Sequence, residues 1–171
     1  MIDKFKPWLG SLALLPIIIV LTINNGQFIF LLDHFNLLIH EGGHGIFRLF
    51  GKFVYTLGGS LMQLLIPALF IFYFYSNKKV FGTQAALVFL GQNLLNVSKY
   101  VADARSQILP LLGGNKVYHD WHYLLSVLGI LDYDKIVSYV LITFAIITFL
   151  IAMLIPGFIK KYDNIEINLN L

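Results

Sequence analysis

Five long apolar runs, separated by short polar segments, dominate the order of hydrophobic and polar positions along the chain. About 20 helical residues cross a bilayer, so this pattern predicts an all-α fold, a polytopic membrane helix bundle of about five spans. The predicted spans are approximately residues 7–23, 28–50, 60–75, 80–104 and 136–155. The connections between them are short, so residues 1–171 are interpreted as a single transmembrane domain with a polar tail at 162–171.

The composition agrees with this apolar pattern. Hydrophobic residues make up 58% of the chain and charged residues only 12%, whereas about 25% of the residues in a soluble domain are charged. These values argue against a water-soluble monomer and against intrinsic disorder, which requires low hydrophobicity and high charge. The formal net charge is +3, but the lysines lie at the ends of apolar runs, where they mark membrane interfaces. We therefore expect the lipid bilayer as a partner, and no nucleic acid.

Basic residues in the short loops predict the orientation of the spans, because cytoplasmic loops carry an excess of Lys and Arg. With a cytoplasmic N-terminus, seven basic residues face the cytoplasm: Lys4, Lys6, Arg48, Lys52, Arg105, Lys116 and Lys135. Four face the opposite side: Lys78, Lys79, Lys160 and Lys161. We therefore expect a multi-pass protein of the cytoplasmic (inner) membrane with its N-terminus inside.

The second predicted span contains His40-Glu41-Gly42-Gly43-His44, an H-E-x-x-H motif. Residues i and i+4 share one face of a helix, so both histidines can bind one Zn²⁺ ion while Glu41 reaches a water bound to that ion. Zinc lowers the pKa of such a water toward about 7, and Glu41 would take its proton as the catalytic base. Ionisable residues inside a span are costly, which favours this functional interpretation. The alternative is that these side chains only bond to neighbouring helices.

The motif supplies two zinc ligands, and a catalytic zinc site needs a third. The chain has no cysteine and its other glutamate is Glu166 in the tail, so the third ligand is an Asp or a His. Asp103 is the first candidate because it belongs to a polar stripe on the fourth predicted helix. That stripe has the spacing i, i+3, i+7 and i+10: Asn93, Asn96, Tyr100 and Asp103. The alternatives, as third ligand or as groups that support the ligands, are His119, Asp120 and His122, with Asp33 and His34 ranked below them.

These features together resemble the site-2 protease class of intramembrane zinc metalloproteases. The resemblance rests on HEGGH within the second span, on Asp103 at the end of a later polar helix, and on the stretch GKFVYTLGGSLMQLLIP after the motif helix. It covers roughly residues 28–108, and it implies zinc bound by His40, His44 and Asp103 with Glu41 as the catalytic base. The Asn-Pro and Asp-Gly pairs that are usual in this class are missing from the stretch NVSKYVADAR, which indicates a divergent branch.

The resemblance also suggests a role for residues 52–57, whose sequence is KFVYTL. Their alternating β-branched and aromatic residues predict a short strand that dips into the bundle, as part of a short β-hairpin after the motif helix. Its open edge would bind an unwound substrate by strand addition, and an ordinary interfacial hairpin is the alternative. Gln63 on the third span, together with Asn93 and Asn96 on the fourth, are candidates for lining a substrate cavity.

We therefore expect a zinc metalloendopeptidase that hydrolyses peptide bonds within or next to the membrane, with Zn²⁺ as cofactor and a membrane protein or peptide as substrate. Two alternatives stay open: a zinc-dependent membrane hydrolase of a lipid-like or small amide substrate, and a non-catalytic zinc-binding membrane regulator. A transporter would need ligands at several depths along a path, whereas this chain concentrates them in one helix.

Overall fold

A computed structural model describes residues 8–110 and 118–159 of the chain. These residues form six α-helices: α1 (Leu9–Asn24), α2 (Phe30–Phe47), α3 (Gly51–Ser76), α4 (Val80–Ala102), α5 (Asp120–Val127) and α6 (Asp134–Leu154). Short 3₁₀ turns follow α2, precede α6 and follow α6: Arg48–Phe50, Leu131–Tyr133 and Ile155–Gly157. The all-α prediction is confirmed for this part of the chain, and the predicted polar tail at 162–171 lies outside the described residues.

The predicted β-hairpin at residues 52–57 is wrong. These residues form the first turns of α3, and no strand occurs within residues 8–110 or 118–159. Gly51, with a φ of +83°, separates the 3₁₀ turn from the helix. A helix satisfies its backbone hydrogen bonds internally, which an open strand in apolar surroundings cannot do, and this outweighs the β-preference of Val54 and Tyr55. The segment therefore offers no edge for strand addition.

α4 lies at the centre of the fold and packs against α1, α3 and α6. The larger buried apolar cluster joins side chains of α1, α4 and α6: Leu14, Ile18, Leu21, Leu87, Val88, Leu94, Leu95, Ala145, Phe149 and Ala152. Beyond the end of α4, Arg105 forms a 2.7 Å ion pair with the buried Asp134 at the start of α6. Leu125 of α5 is buried against Val97 and Val101 of α4, so α5 is held at this same end of the bundle.

Several polar side chains are buried in the bundle, whereas many large apolar side chains are exposed on its outside. Gln63 and Asn93 are 3% and 0% exposed, whereas Leu38 and Phe72 are 70% and 71% exposed. A large apolar exterior is favourable only against lipid or another apolar partner. Two helical stretches are long and apolar enough to cross a membrane: Phe30–Ser76 and Leu131–Gly157. A third apolar helix, Leu9–Asn24, is shorter.

α2 and α3 form an antiparallel pair that is in close contact at two glycines. A Cβ atom at Gly43 would lie 2.2 Å from the carbonyl oxygen of Gly58, so a larger residue would push the helices apart. At the next residue of α2, the ring of His44 bonds to the backbone oxygen of Tyr55 on α3. The motif histidines consequently face α3 and the interior of the bundle, where the remaining helices can reach them.

Candidate metal centre

The structure brings three potential metal ligands together, two on α2 and one at the start of α5. Asp120 Oδ2 lies 2.9 Å from His40 Nε2 and 3.1 Å from His44 Nε2. One ligand atom from each of the three residues lies within 4.8 Å of the others. The histidines share a helix face, as their i, i+4 spacing predicts, and their ring centres are 4.7 Å apart. Together these side chains form a compact set of two nitrogens and one oxygen that could hold a metal ion.

Both histidines have the other ring nitrogen, Nδ1, engaged by an oxygen. His40 Nδ1 lies 2.9 Å from Gln63 Oε1, and His44 Nδ1 lies 2.8 Å from the backbone oxygen of Tyr55. Because both oxygens are acceptors, each ring donates its Nδ1–H and keeps Nε2 for the ligand set that includes Asp120. Acceptors in this position fix the tautomer and the orientation of metal-binding histidines.

The donor set fits zinc, which binds imidazole nitrogen and carboxylate oxygen at about 2.0–2.2 Å in tetrahedral sites. Such bonds place neighbouring ligand atoms roughly 3.3 Å apart, close to the N–O separations of 2.9 Å and 3.1 Å around Asp120. Burial raises the pKa of Asp120, but the close approach of the His40 and His44 rings to its carboxylate outweighs this effect and holds the pKa below its usual value. The carboxyl group is therefore in the charged form that binds a cation.

Asp103, the first candidate for the third ligand, is not brought to the histidines. α4 ends at Ala102, and the Asp103 carboxylate turns into the loop that follows. There it accepts hydrogen bonds from the Ser106 hydroxyl and from two backbone N–H groups at 2.7–3.0 Å. The helical stripe that singled out Asp103 stops one residue before it, so the side chain leaves the face that the spacing assigned to it. Asp120 lies where the sequence interpretation expected Asp103.

His119 and His122, which the sequence also offers as possible ligands, lie beside the centre. His119 precedes α5, and its Nδ1 accepts the backbone N–H of His122 at 3.2 Å, while its Nε2 is 3.4 Å from Asp103 Oδ2. Burial lowers the pKa of His119, against the opposing effect of Asp103. His122 Nδ1 lies 2.8 Å from the carbonyl oxygen of Ala104. Both histidines thus help to fix the start of α5, which carries Asp120.

A cavity of about 500 Å³ is lined by all three potential ligands. Glu41, the predicted base, is exposed and lines this cavity. Of the three predicted cavity residues, Gln63 and Asn96 line it. Asn93 does not, because it is fully buried and donates its side-chain N–H to the Phe89 carbonyl oxygen within α4. A cavity of this volume accommodates a small molecule or a short stretch of extended peptide.

Two further side chains belong to the surroundings of the site: Tyr100, to which the sequence interpretation gave no role of its own, and Asp33, which it ranked low among the possible ligands. Tyr100 lines the cavity, and its hydroxyl oxygen accepts the backbone N–H of Asp120 at 3.0 Å. Asp33 is only 5% exposed and accepts hydrogen bonds from three side-chain amides: those of Asn36, Gln92 and Asn96. The position of Tyr100 on the polar stripe of α4 could have indicated that its side chain faces the site. An ionisable residue such as Asp33 inside a predicted span also requires a partner in the bundle interior.

Gly59→Ala is expected to weaken metal binding through His40. A Cβ atom at Gly59 would lie 2.4 Å from His40 Nε2, the ring nitrogen that faces Asp120, so the ring would have to move out of the ligand set. We expect the zinc affinity to fall roughly 10- to 100-fold, as when the support of a ligating histidine is removed. Competition with a chelating dye would measure the change.

Gly42→Ala is the matched control for this substitution. A Cβ atom at Gly42 would meet nothing within 4 Å, and alanine is the better helix former, so the zinc affinity should stay at the wild-type value. Gly59→Ala protein that binds zinc as tightly as the wild type would show that His40 does not ligate through the position seen in the structure.

No protein-family model matches the sequence, and comparisons with curated proteins and with solved structures give no match either. The resemblance to site-2 proteases therefore rests on the sequence motifs alone. What can be inferred about function comes from the arrangement of residues around the cavity.

Proposed function

We propose that this protein is a membrane-embedded zinc metallopeptidase that hydrolyses peptide bonds within or next to the membrane. One observation carries the proposal: two histidine nitrogens and a carboxylate oxygen converge at the wall of a cavity that Glu41 also lines. Three protein ligands with an open fourth position are typical of catalytic zinc sites. Asp120 replaces Asp103 as the proposed third ligand, beside His40 and His44.

The proposed chemistry uses two groups, the metal ion and the carboxylate of Glu41. A bound zinc ion would polarise the scissile carbonyl and acidify a water molecule in the open position. Glu41 follows His40 by one residue, about 100° around the axis of α2, and lines the same cavity. There it takes a proton from the attacking water and passes it to the leaving amine, acting first as a general base and then as a general acid.

Tyr100 assists the same step. Its hydroxyl oxygen is occupied by the backbone N–H of Asp120, so its own O–H is left to donate to an oxygen in the cavity. We assign this hydrogen to the carbonyl oxygen of the substrate, where negative charge develops during attack. A donor that is already in place stabilises such charge more effectively than water, because it needs no reorganisation.

The proposed setting is the inner membrane, crossed by about five helices, with the N-terminus on the cytoplasmic side. The apolar exterior of the helices and the two stretches of sufficient length support it, as do the basic loops of the sequence. A centre enclosed by such helices would lie within the bilayer or close to its surface, and it would act on peptide bonds located there. A membrane peptide is therefore the proposed substrate, and a lipid-like amide is the alternative that the same chemistry permits.

Removal of the metal is expected to abolish hydrolysis reversibly, because the chain's own residues would then lack the group that activates the water. Purified protein in lipid nanodiscs would be incubated with synthetic single-span peptides and N-acylated lipids, with products detected by mass spectrometry. Treatment with 1,10-phenanthroline should stop peptide cleavage, and ZnCl₂ added after dialysis should restore it. MgCl₂, whose ion prefers oxygen ligands, is the control and should not restore it.

Three outcomes separate the candidate functions. Peptide cleavage that survives chelation would contradict the metallopeptidase. Zinc-dependent hydrolysis of the lipids, with no cleavage of the peptides, would favour the small-amide alternative. Tight zinc binding without hydrolysis of either substrate class would favour a non-catalytic zinc-binding regulator.

A further inference from the structure

We propose that Asp33 is a positioning residue that fixes the tautomer of His40 through two intervening side-chain amides. The inference rests on the proposed zinc site and adds to it the group that sets the tautomer of His40, one of the proposed ligands. Asp33 lies in the first turn of α2, two turns before His40, and is not one of the three ligands.

A continuous row of hydrogen bonds leads from Asp33 to His40. Asn96 Nδ2 donates to Asp33 Oδ1 at 2.7 Å, and Gln63 Nε2 donates to Asn96 Oδ1 at 3.0 Å. His40 Nδ1 lies 2.9 Å from Gln63 Oε1. The row starts on α2, passes through α4 and α3, and returns to α2. Asp33 and Gln63 are 5% and 3% exposed, so water competes little for these bonds.

The end of the row at Asp33 determines the direction of every bond in it. A carboxylate only accepts hydrogen bonds, so Asn96 must present its NH₂ group to Asp33 and its oxygen to Gln63. Gln63 must in turn present its NH₂ group to Asn96 and its oxygen to His40. His40 can then only donate its Nδ1–H, which leaves the Nε2 lone pair for the metal.

Asp33 is held firmly enough to serve as the fixed end. Its Oδ2 accepts the backbone N–H of Ile29 at the start of α2. Its Oδ1 accepts from Gln92 Nε2 at 3.3 Å and from Asn36 Nδ2 at 3.4 Å, in addition to Asn96. A cap for the helix N-terminus would use only the bond to Ile29. The three donors on Oδ1 are therefore unexplained by capping, and one of them begins the row to His40.

Without the carboxylate, the row has two possible directions. Asn96 and Gln63 each carry a donor and an acceptor on one planar group, so rotation of both amides would turn an NH₂ group toward His40 Nδ1. The ring would then carry its hydrogen on Nε2, the atom that faces Asp120, and could not bind a metal through that nitrogen. Partners that orient a ligating histidine are worth roughly 10- to 100-fold in metal affinity.

The test exchanges the carboxylate and the amide at the start of the row. Asp33→Asn should weaken zinc binding roughly tenfold or more, measured by competition with a chelating dye on protein in nanodiscs. The double variant Asp33→Asn with Asn96→Asp moves the carboxylate to α4, where it still accepts from Gln63, and should recover most of the lost affinity. A role in packing alone predicts no such recovery. If Asp33→Asn does not fold, Asn96→Leu interrupts the row without changing α2 and should cause the same loss.

A spectroscopic signal reports the tautomer independently of hydrolysis. In Co²⁺-substituted protein, the paramagnetically shifted Nδ1–H proton of His40 should be sharp in the wild type and the double variant, and broadened by exchange in Asp33→Asn. Equal zinc affinity of the wild type and Asp33→Asn, or a double variant as weak as the single one, would overturn the inference. Wild-type protein that binds zinc but hydrolyses nothing would contradict the proposed peptidase activity and leave the role of Asp33 standing. Wild-type protein that binds neither metal would overturn both proposals.

Discussion

Glu41→Gln is expected to abolish peptide hydrolysis while zinc stays bound at the wild-type stoichiometry. The amide keeps the shape of the side chain but removes the basic oxygen, so no group takes the proton of the attacking water. A missing general base costs roughly 10²- to 10⁴-fold in rate, and we expect kcat to fall by at least about 100-fold. Glu41 is not among the three clustered ligands, so the zinc content, measured by atomic emission, should not change.

Glu166→Gln is the matched control, since Glu166 is the other glutamate of the chain. It removes the same charge from a residue to which the proposal gives no role, and it should leave both activity and zinc content at the wild-type level. Hydrolysis retained by Glu41→Gln would contradict the proposed base. Loss of zinc from the same variant would instead place Glu41 among the groups that hold the metal.

Asp120→Asn is expected to lose zinc, whereas Asp103→Asn should keep it. Asp120 Oδ2 is the oxygen that faces Nε2 of both His40 and His44, and an uncharged amide is a much weaker ligand than a carboxylate. The loss of affinity should therefore exceed the roughly 10- to 100-fold effect of changes outside the ligand set. Asp103 is also buried, at 8% exposure, but its carboxylate accepts hydrogen bonds from the loop after α4. Titration with a chelating dye would measure both affinities.

This comparison decides between the two aspartates that the sequence left in competition. Zinc loss in Asp103→Asn, with wild-type affinity in Asp120→Asn, would reverse the proposed assignment. Small and equal effects would leave the histidines without a third protein ligand and would contradict a catalytic zinc site. Thermal unfolding of each variant without metal shows whether a change in affinity reflects the site or the fold.

Features that depend on local spacing were predictable from the sequence. The i, i+4 separation of His40 and His44 places both rings on one face of α2 wherever that helix lies, because the spacing is a property of the helix itself. Long apolar runs likewise predict helices without knowledge of their partners. Gln63 and Asn96 were expected at the cavity because polar groups on a membrane helix face the bundle interior, and both line it.

The proposed third ligand was not predictable, because its position depends on where a helix ends and on contacts distant in sequence. Asp103 continues the helical spacing of its stripe, yet its side chain competes for loop N–H groups once α4 has ended. Asp120 reaches α2 because α5 is docked, in part by the 3.0 Å hydrogen bond from Trp121 Nε1 to Ser60 Oγ. No periodicity in the sequence signals such a contact. The β-preference of residues 52–57 failed for a related reason, since β-propensity depends on the surroundings of a segment.

The distance along the chain between the proposed ligands has a consequence for biosynthesis. Asp120 follows His40 by 80 residues, and α3 and α4 lie between them. Chains are made from the N-terminus at about 5–20 residues per second, so a growing chain carries both histidines and Glu41 for several seconds before the carboxylate exists. The centre becomes complete only after α5 has been synthesised and has docked. For the proposed peptidase, a nascent chain would therefore pass the insertion machinery without a complete centre, and the order of the residues would delay cleavage until the chain is folded.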